Sequence, residues 1–345
     1  MRKPHSPLII LAVSAALLAG CGGGSHHTEA AKPTPSPTPT SPSPTPTPPV
    51  DCPLTGAPAA AGQTPHRPAL GVKIDNIDLA RPQSGVDKAD LVVEELVEGG
   101  LTRLFAVFQC DSAGTLGPIR SARTTDAGLL ALLHGSVFGY SGANPAALPQ
   151  IRAHGDTVLI AYDDLPQYFH RVGFRPAPHN VYSDTKTILE AGISRRHGLT
   201  APKPLFLYGD APAGGNAATS ASMSWPEASA GWRWNGSGWL RTQNGTPDVM
   251  SDRQRVKASN VVIMQVHIGS TGIRDVAGNA SPLNITIGSG AVWVLRDGKV
   301  FRGTWHRKSY TSPLRFTTAS GAAITLHPGR TWIELLPRPR TPKIS

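Results

Sequence analysis

The sequence predicts an α+β / α/β chain in three parts: a disordered proline-rich tether, a mixed α/β layered domain, and a smaller β-rich domain. Three observations predict it. From Pro68 to about Leu207, strand patterns alternate with apolar stretches at helical spacing, as α/β layers require. From about Ser222 onward helical periodicity fades, and all seven tryptophans fall there. Ahead of both, nine of the 17 residues from Pro33 to Pro49 are proline. Proline fixes φ and offers no donor, so that tract favours polyproline II over helix or sheet.

The chain opens with an address. Arg2 and Lys3 precede an apolar run, Pro7 to Leu18, too short to span a bilayer as a stable helix. Leu18-Ala19-Gly20-Cys21 then reads as a lipobox, with small residues that let a signal peptidase reach the backbone before the cysteine. Residues 1–20 are therefore expected to be a lipoprotein signal peptide, and Cys21 the lipidated N-terminus on the extracytoplasmic face of the cell membrane. Each buried acyl methylene contributes about 0.8 kcal/mol, so several chains hold firmly. Residues 21–50 form the tether. Its proline tract spans roughly 50 Å at about 3.1 Å per residue.

The first folded domain is expected over 51–208. Residues 69–75 alternate as a strand, and 91–97 and 101–108 flank Gly99-Gly100, a glycine pair suited to the positive φ of a hairpin turn. Thr124 to His134 has helical spacing, and 136–141 reads as a strand. Ser183 or Asp184 should cap a helix running to about Arg196 and ended by Gly198. The Ala/Gly/Ser-rich stretch 209–224 is expected to link the domains. The second domain, 225–337, should be a β sandwich or meander. Trp232 to Arg241 forms a hairpin, and strands cover 260–267, 290–295, 300–305 and 332–336, with a turn at Asp297-Gly298. Residues 338–345 form a basic tail.

With Cys21 taken by lipid, Cys52 and Cys110 remain, and an even pair in an oxidising compartment points to a disulfide. It would close a loop of about 59 residues, worth about 4 kcal/mol in the chain-entropy model. The net charge is +10. Ten Lys and Arg against two acids lie from Arg296 to the end, so the excess is concentrated there. Outside a cell the polyanions such a surface can meet are phospholipid headgroups and wall glycopolymers rather than nucleic acid; the competing expectation is a solvated basic face with no partner.

Several motifs resemble the YerB-like bacterial lipoproteins. PLTG at 53–56, RPALGVKIDN at 67–76, ARPQSG at 80–85, ADLVVE at 89–94, EGGLTR at 98–103, GPIRSAR at 117–123 and APHN at 177–180 are similar to that family's N-terminal domain. GSG at 288–290, DGK at 297–299, GTW at 303–305 and PGRTW at 328–332 are similar to its C-terminal domain. The resemblance covers nearly everything after the tether. It implies a two-domain lipoprotein and supplies no activity; the cysteine pair stands on the residues alone.

Familiar catalytic motifs are absent: there is no HExxH, no P-loop and no GxGxxG. Gly139 to Ala143 sits between a strand and a helix like a nucleophile elbow, but Ala143 occupies the place of the required glycine. Ser141 is read as a turn residue, and no catalytic residue, metal ligand or cofactor is assigned. The richest cluster is Arg103, Arg120 and Arg123 with Asp75 and Asn76, together with His179 and Asn180 of the APHN motif. Arg120 and Arg123 precede a helix, whose free N–H groups and dipole favour an anion, and arginine adds forked donors. The competing expectation is internal pairing with Glu94, Glu95 and Glu98. Strand, arginine loop and helix also parallel the way LytR-CpsA-Psr glycopolymer transferases hold a polyprenyl pyrophosphate; fold-level analogy does not carry function. The expected role is a non-catalytic envelope binding or accessory module for an anionic wall glycopolymer, lipid headgroup or envelope protein. The alternatives are a phosphotransferase on lipid-linked glycopolymer and a purely structural partner.

Overall fold

A computed structural model describes residues 50–345. The signal peptide, Cys21 and the proline tract fall in 1–49, outside the described residues. The first half contributes strands β1 (Ala69–Asp75), β2 (Leu91–Leu96), β3 (Thr102–Phe108), β4 (Ser136–Tyr140) and β5 (Thr157–Ala161), and a short pair, β6 (His170–Arg171) and β7 (Val181–Tyr182). Its helices are α1 (Thr125–Ala131), α2 (Ala147–His154) and α3 (Thr185–Arg195). Gly99 (φ 67°) and Gly100 (φ 74°) take the left-handed conformation that turns β2 into β3. Asp184 caps α3 by accepting from the Thr187 N–H at 2.8 Å. The helix α1 stops three residues before the expected His134, where His134 (φ 49°) and Gly135 (φ 97°) leave helical space.

The second half is strand throughout: β8 (Asn216–Ala217), β9 (Ser220–Ser224), β10 (Ser229–Trp234), β11 (Trp239–Gln243), β12 (Thr246–Pro247), β13 (Lys257–Ala258), β14 (Asn260–Arg274), β15 (Ala280–Ile285), β16 (Gly288–Arg296), β17 (Lys299–Arg307), β18 (Arg315–Thr317), β19 (Thr331–Pro337) and β20 (Lys343–Ile344). The described residues are thus mostly sheet with few helices.

The halves meet in one twelve-stranded sheet, ordered β18-β17-β16-β14-β19-β2-β3-β1-β4-β5, with β15 on β14 and β8 on β17. The junction is the parallel pair β19–β2, from Thr331↔Leu91 to Glu334↔Glu94. Both strands are buried along nearly their whole length, and such strands read as continuous apolar runs with no sign of which partner they will take. A six-stranded sheet, β12-β11-β10-β9-β20 with β13, packs on one face through Met223, Trp225, Trp232 and Trp239 against Val261, Leu295 and Trp332. Five of the seven tryptophans are buried here or on the other face, so core packing accounts for them.

Two expected boundaries change. Residues 209–224 hold β8 and β9, with Ala218, Ala221 and Met223 buried, because a polar-looking Ala/Ser stretch still alternates inward and outward as a strand. The basic tail contains β20, which pairs with β9. The basic surplus is also partly internal. Buried Arg296 donates to the carbonyls of Gly209 (2.8 Å) and Thr325 (2.9 Å), and buried Arg307 donates to that of Gly128 (2.6 Å). Near the start of the described residues, Cys52 and Cys110 form a disulfide with Cα atoms 5.9 Å apart.

Candidate functional site

Strand alternation sets up the site. Neighbouring side chains on β2 point to opposite faces, so the adjacent Glu94 and Glu95 serve different clusters. On the face that carries α1, Arg103 of β3 stands directly across from Glu95 of β2 on one side and from Asp75 of β1 on the other. Lys73, one step down the same face, binds Glu95 and reaches Asp126 of α1 at 2.8 Å. All three of these side chains are fully buried. Desolvation pushes Glu95 up to about 7 against the opposing pull of Lys73.

Above this row the strand ends open into a cleft of about 570 Å³. Arg103, Arg120, Arg123 and Asp75 all line it, so residues from three segments distant in sequence are brought together. Arg123 Nε pairs with Glu98 Oε2 at 2.7 Å, and its Nη1 donates to the Ala122 carbonyl at 2.9 Å. Burial would raise the Glu98 carboxyl, but Arg123 and a hydrogen bond from Ser281 (2.6 Å) outweigh it and hold it below its ordinary value. Arg120 Nε lies 2.9 Å from Asp75 Oδ2, an ion pair by distance although the N–H is not aimed along it. Asp75 Oδ2 also meets His179 Nδ1 at 2.7 Å, and its Oδ1 accepts from the Asn76 N–H at 2.9 Å.

Arg103 differs from its neighbours. It is 8% exposed, donates one hydrogen bond to the Ser121 carbonyl (3.0 Å), and makes no ion pair among the described residues. Burial first, then repulsion from Arg123 and Arg120, pushes its guanidinium down to about 9 despite Asp75 and Glu98 nearby. The cleft floor thus holds a buried cation that has Asp75 and Glu98 nearby but no ion pair among the described residues.

The remaining predicted residues fall elsewhere. Asn76 leaves β1 toward the opposite face, where its Nδ2 donates to Glu94 Oε1 (3.0 Å) and Thr102 Oγ1 (2.9 Å). Asn180 accepts from Arg171 and holds the β6–β7 loop through the Val172 carbonyl (3.3 Å). His179 sits behind Asp75 rather than in the cleft lining. Arg120 and Arg123 precede α1 on an extended segment, and the Asp126 carboxylate takes the Arg123 N–H at 2.6 Å. Of the three glutamates expected as arginine partners, only Glu98 serves; Glu95 holds Lys73, and Glu94 holds Arg241. Ser141 Oγ has no histidine hydrogen bond, and no three His, Cys, Asp or Glu converge as a metal site, among the described residues.

Sequence reading missed the outer wall. Strand β14 runs to Arg274, seven residues past the expected end, and with β15 forms an arm that reaches the first half. Ile273, Arg274, Asp275 and Val276 line the cleft. The arm is fastened by Ser281 to Glu98, by Asn144 Nδ2 to Ser281 Oγ (2.9 Å) and by Asn284 Nδ2 to the Leu96 carbonyl (2.9 Å). Its inward positions are polar or only half-buried, so no hydrophobic alternation marks it. The signal that could have found it is the turn at 275–279, where Asp275 Oδ1 accepts from the Ala277 (2.9 Å) and Asn279 (2.8 Å) N–H groups.

Comparison with known proteins places both walls of the cleft in recognised domains. Residues 54–198 match the N-terminal domain, and residues 220–333 the C-terminal domain, of a protein of unknown function designated DUF3048. The chain is 30% identical over 306 residues to YerB of Bacillus subtilis (strain 168), a protein named as a lipoprotein, covering 83% of this chain and 86% of that one. The crystal structure of Bacillus subtilis YerB superposes with a TM-score of 0.72 at 24% identity, over 85% of this chain and 99% of that one.

Proposed function

Because the chain belongs to the DUF3048 family and carries its two domains in order, we propose that it is a membrane-tethered lipoprotein whose two domains together build an anion-binding cleft. The tether is Cys21, and the YerB relative named as a lipoprotein supports it. The cleft is a binding site rather than a catalytic one, and its ligand carries a phosphate or a similar oxyanion on the cell envelope.

One observation carries this reading: Arg103 is buried beside two further arginines and forms no ion pair with an acid among the described residues. A buried, unpaired charge is costly. Arg120 and Arg123 already hold Asp75 and Glu98, so internal pairing accounts for them and leaves Arg103. With Arg274 the lining has four arginines against Asp75, Glu98 and Asp275. An oxyanion on Arg103 would replace the lost hydration with charge-assisted hydrogen bonds.

The test is calorimetric titration of the protein with inorganic pyrophosphate. Binding in the micromolar-to-millimolar range, lost in Arg103→Gln and weakened by salt, is the expected result. Binding that survives Arg103→Gln would move the site elsewhere, and no binding of any oxyanion would leave internal pairing as the arginines' whole role.

A further inference from the structure

The cleft is charged on its floor, and its outer side mixes the Arg274 and Asp275 side chains with apolar ones. Val97 and Leu101 come from the β2–β3 turn, Ile77 follows β1, and Ile273 and Val276 come from the β14–β15 arm. Val276 is fully exposed at the arm's tip and Leu101 is 36% exposed at the mouth. Solvated aliphatic side chains are ordinary when scattered singly. Here two lie on the rim of the cleft that holds the unpaired guanidinium.

The same end of the sheet carries two more. The pairing Asp75↔Arg103 places the end of β1 beside the β2–β3 turn, and the His179–Asp75 bond brings the 172–180 loop to that end. Leu79, 59% exposed, lies just after β1, and Phe174, 74% exposed, lies on that loop. Arg175 ties the two segments together through the Leu79 carbonyl at 2.9 Å. The cleft's own apolar lining comes from three segments, the β2–β3 turn, the residue after β1 and the β14–β15 arm, and Leu79 and Phe174 lie outside that lining.

We infer that the cleft takes an amphiphile, a lipid phosphate, with its phosphate on Arg103, Arg120 and Arg123 and the first part of its hydrocarbon chain against Leu101, Ile273 and Val276. A bare inorganic anion would use the floor and leave the rim wet. A neutral lipid would use the rim and leave Arg103 unpaired. Only a molecule with both ends satisfies both observations, and its chain leaves through the apolar mouth. The inference rests on the anion-binding reading proposed above and adds the ligand's second half.

Octyl phosphate, inorganic phosphate and octyl glucoside, each titrated calorimetrically below any micellar concentration into the full chain carrying Cys21→Ser, separate the possibilities. Octyl phosphate is expected to bind at least tenfold more tightly than inorganic phosphate, a gain that burial of about two methylene groups already supplies. Octyl glucoside is expected not to bind. Arg103→Gln should abolish binding of both phosphates. Val276→Ser and Leu101→Ser, exposed positions where folding is not at stake, should bring octyl phosphate several-fold closer to inorganic phosphate. Equal affinity for the two phosphates would overturn the lipid inference while leaving the anion site in place. Octyl glucoside binding as well as octyl phosphate would overturn the role of the arginines, and failure of both phosphates would overturn the anion reading itself.

Discussion

Two charge clusters lie back to back across strand β2, and they are opposites. On one face Glu94 joins Asp248 and Glu334 around Arg241, with every side chain buried. On the other face Arg103, Arg120 and Arg123 share Asp75 and Glu98 in an open cleft. The closed cluster has three acids to one cation. It compensates with protons: desolvation first, then Glu94, pushes Glu334 well above the ordinary carboxylate range, and Trp232 Nε1 donates to it at 2.8 Å. The open cluster has more cations than acids, and arginine cannot shed its proton at working pH. A cluster short of cations can settle its charge internally with protons, whereas a cluster of arginines short of anions cannot. That asymmetry is what separates the first cluster, a structural joint, from the second, the proposed site for an outside anion.

The joint can be broken hardest at Arg241. It is the one cation among Glu94, Asp248 and Glu334, it lies 4.5 Å from the Trp332 ring centre, and it reaches across from the small sheet to the large one. Arg241→Met should cost about 3–5 kcal/mol, the usual penalty for orphaning a buried charge partner. Chemical denaturation reads it as a lowered midpoint. Parent-like stability would mean that the acids carry enough protons to need no cation.

The second prediction uses pH to sharpen the contrast. Glu95 is pushed from its ordinary 4.5 up to about 7 by desolvation, and Asp90 from 3.8 up to about 6 by the same cause. Between the ordinary and the raised values the folded chain keeps a proton that the unfolded chain has released. Stability is therefore highest below the ordinary values and falls as pH rises through the raised ones. The melting temperature should decline between about pH 4.5 and pH 7, and Glu95→Gln should flatten part of that decline. A melting temperature that rises steadily over this window would show that these acids are ionised when folded.

Much of this was legible in the sequence, and the gaps have physical causes. Strand β1, the glycine turn between β2 and β3, and the Asp184 cap follow from local alternation, positive φ and hydrogen bonding, which short segments encode. The three arginines were legible as a cluster because their segments end at the same edge of the sheet. The β19–β2 junction was not, because a buried parallel strand gives no sign of its neighbour. Lys73 and the Glu94-Glu95 pair were visible as charges inside apolar runs, yet their partners Asp126 and Arg241 come from remote segments. The outer wall was hidden because β14 continues past its apolar stretch on backbone pairing with β15, itself held by polar side-chain bonds to remote segments. Arg120 and Arg123 precede α1 as expected, on an extended segment held by the Arg120 N–H on the Lys73 carbonyl (2.8 Å).

The smallest expected effect is the most discriminating. Arg103→Gln removes a buried arginine, as Arg241→Met does, so burial alone would rank the two as equally damaging. The clusters' charge balance ranks them differently. Arg103 gives up one hydrogen bond to the Ser121 carbonyl, worth about 1 kcal/mol net. Against that, the variant escapes the desolvation of a charge and its repulsion with Arg123 and Arg120. Glutamine keeps a donor near the Ser121 carbonyl and adds no charge. The two contributions should nearly cancel, leaving stability within about 1 kcal/mol of the parent in either direction. Thermal unfolding of the ligand-free protein measures it directly. A loss comparable to that of Arg241→Met would mean that Arg103 serves the fold. An unchanged or raised melting temperature, paired with lost oxyanion binding, would mean that the folded chain bears this charge for a ligand.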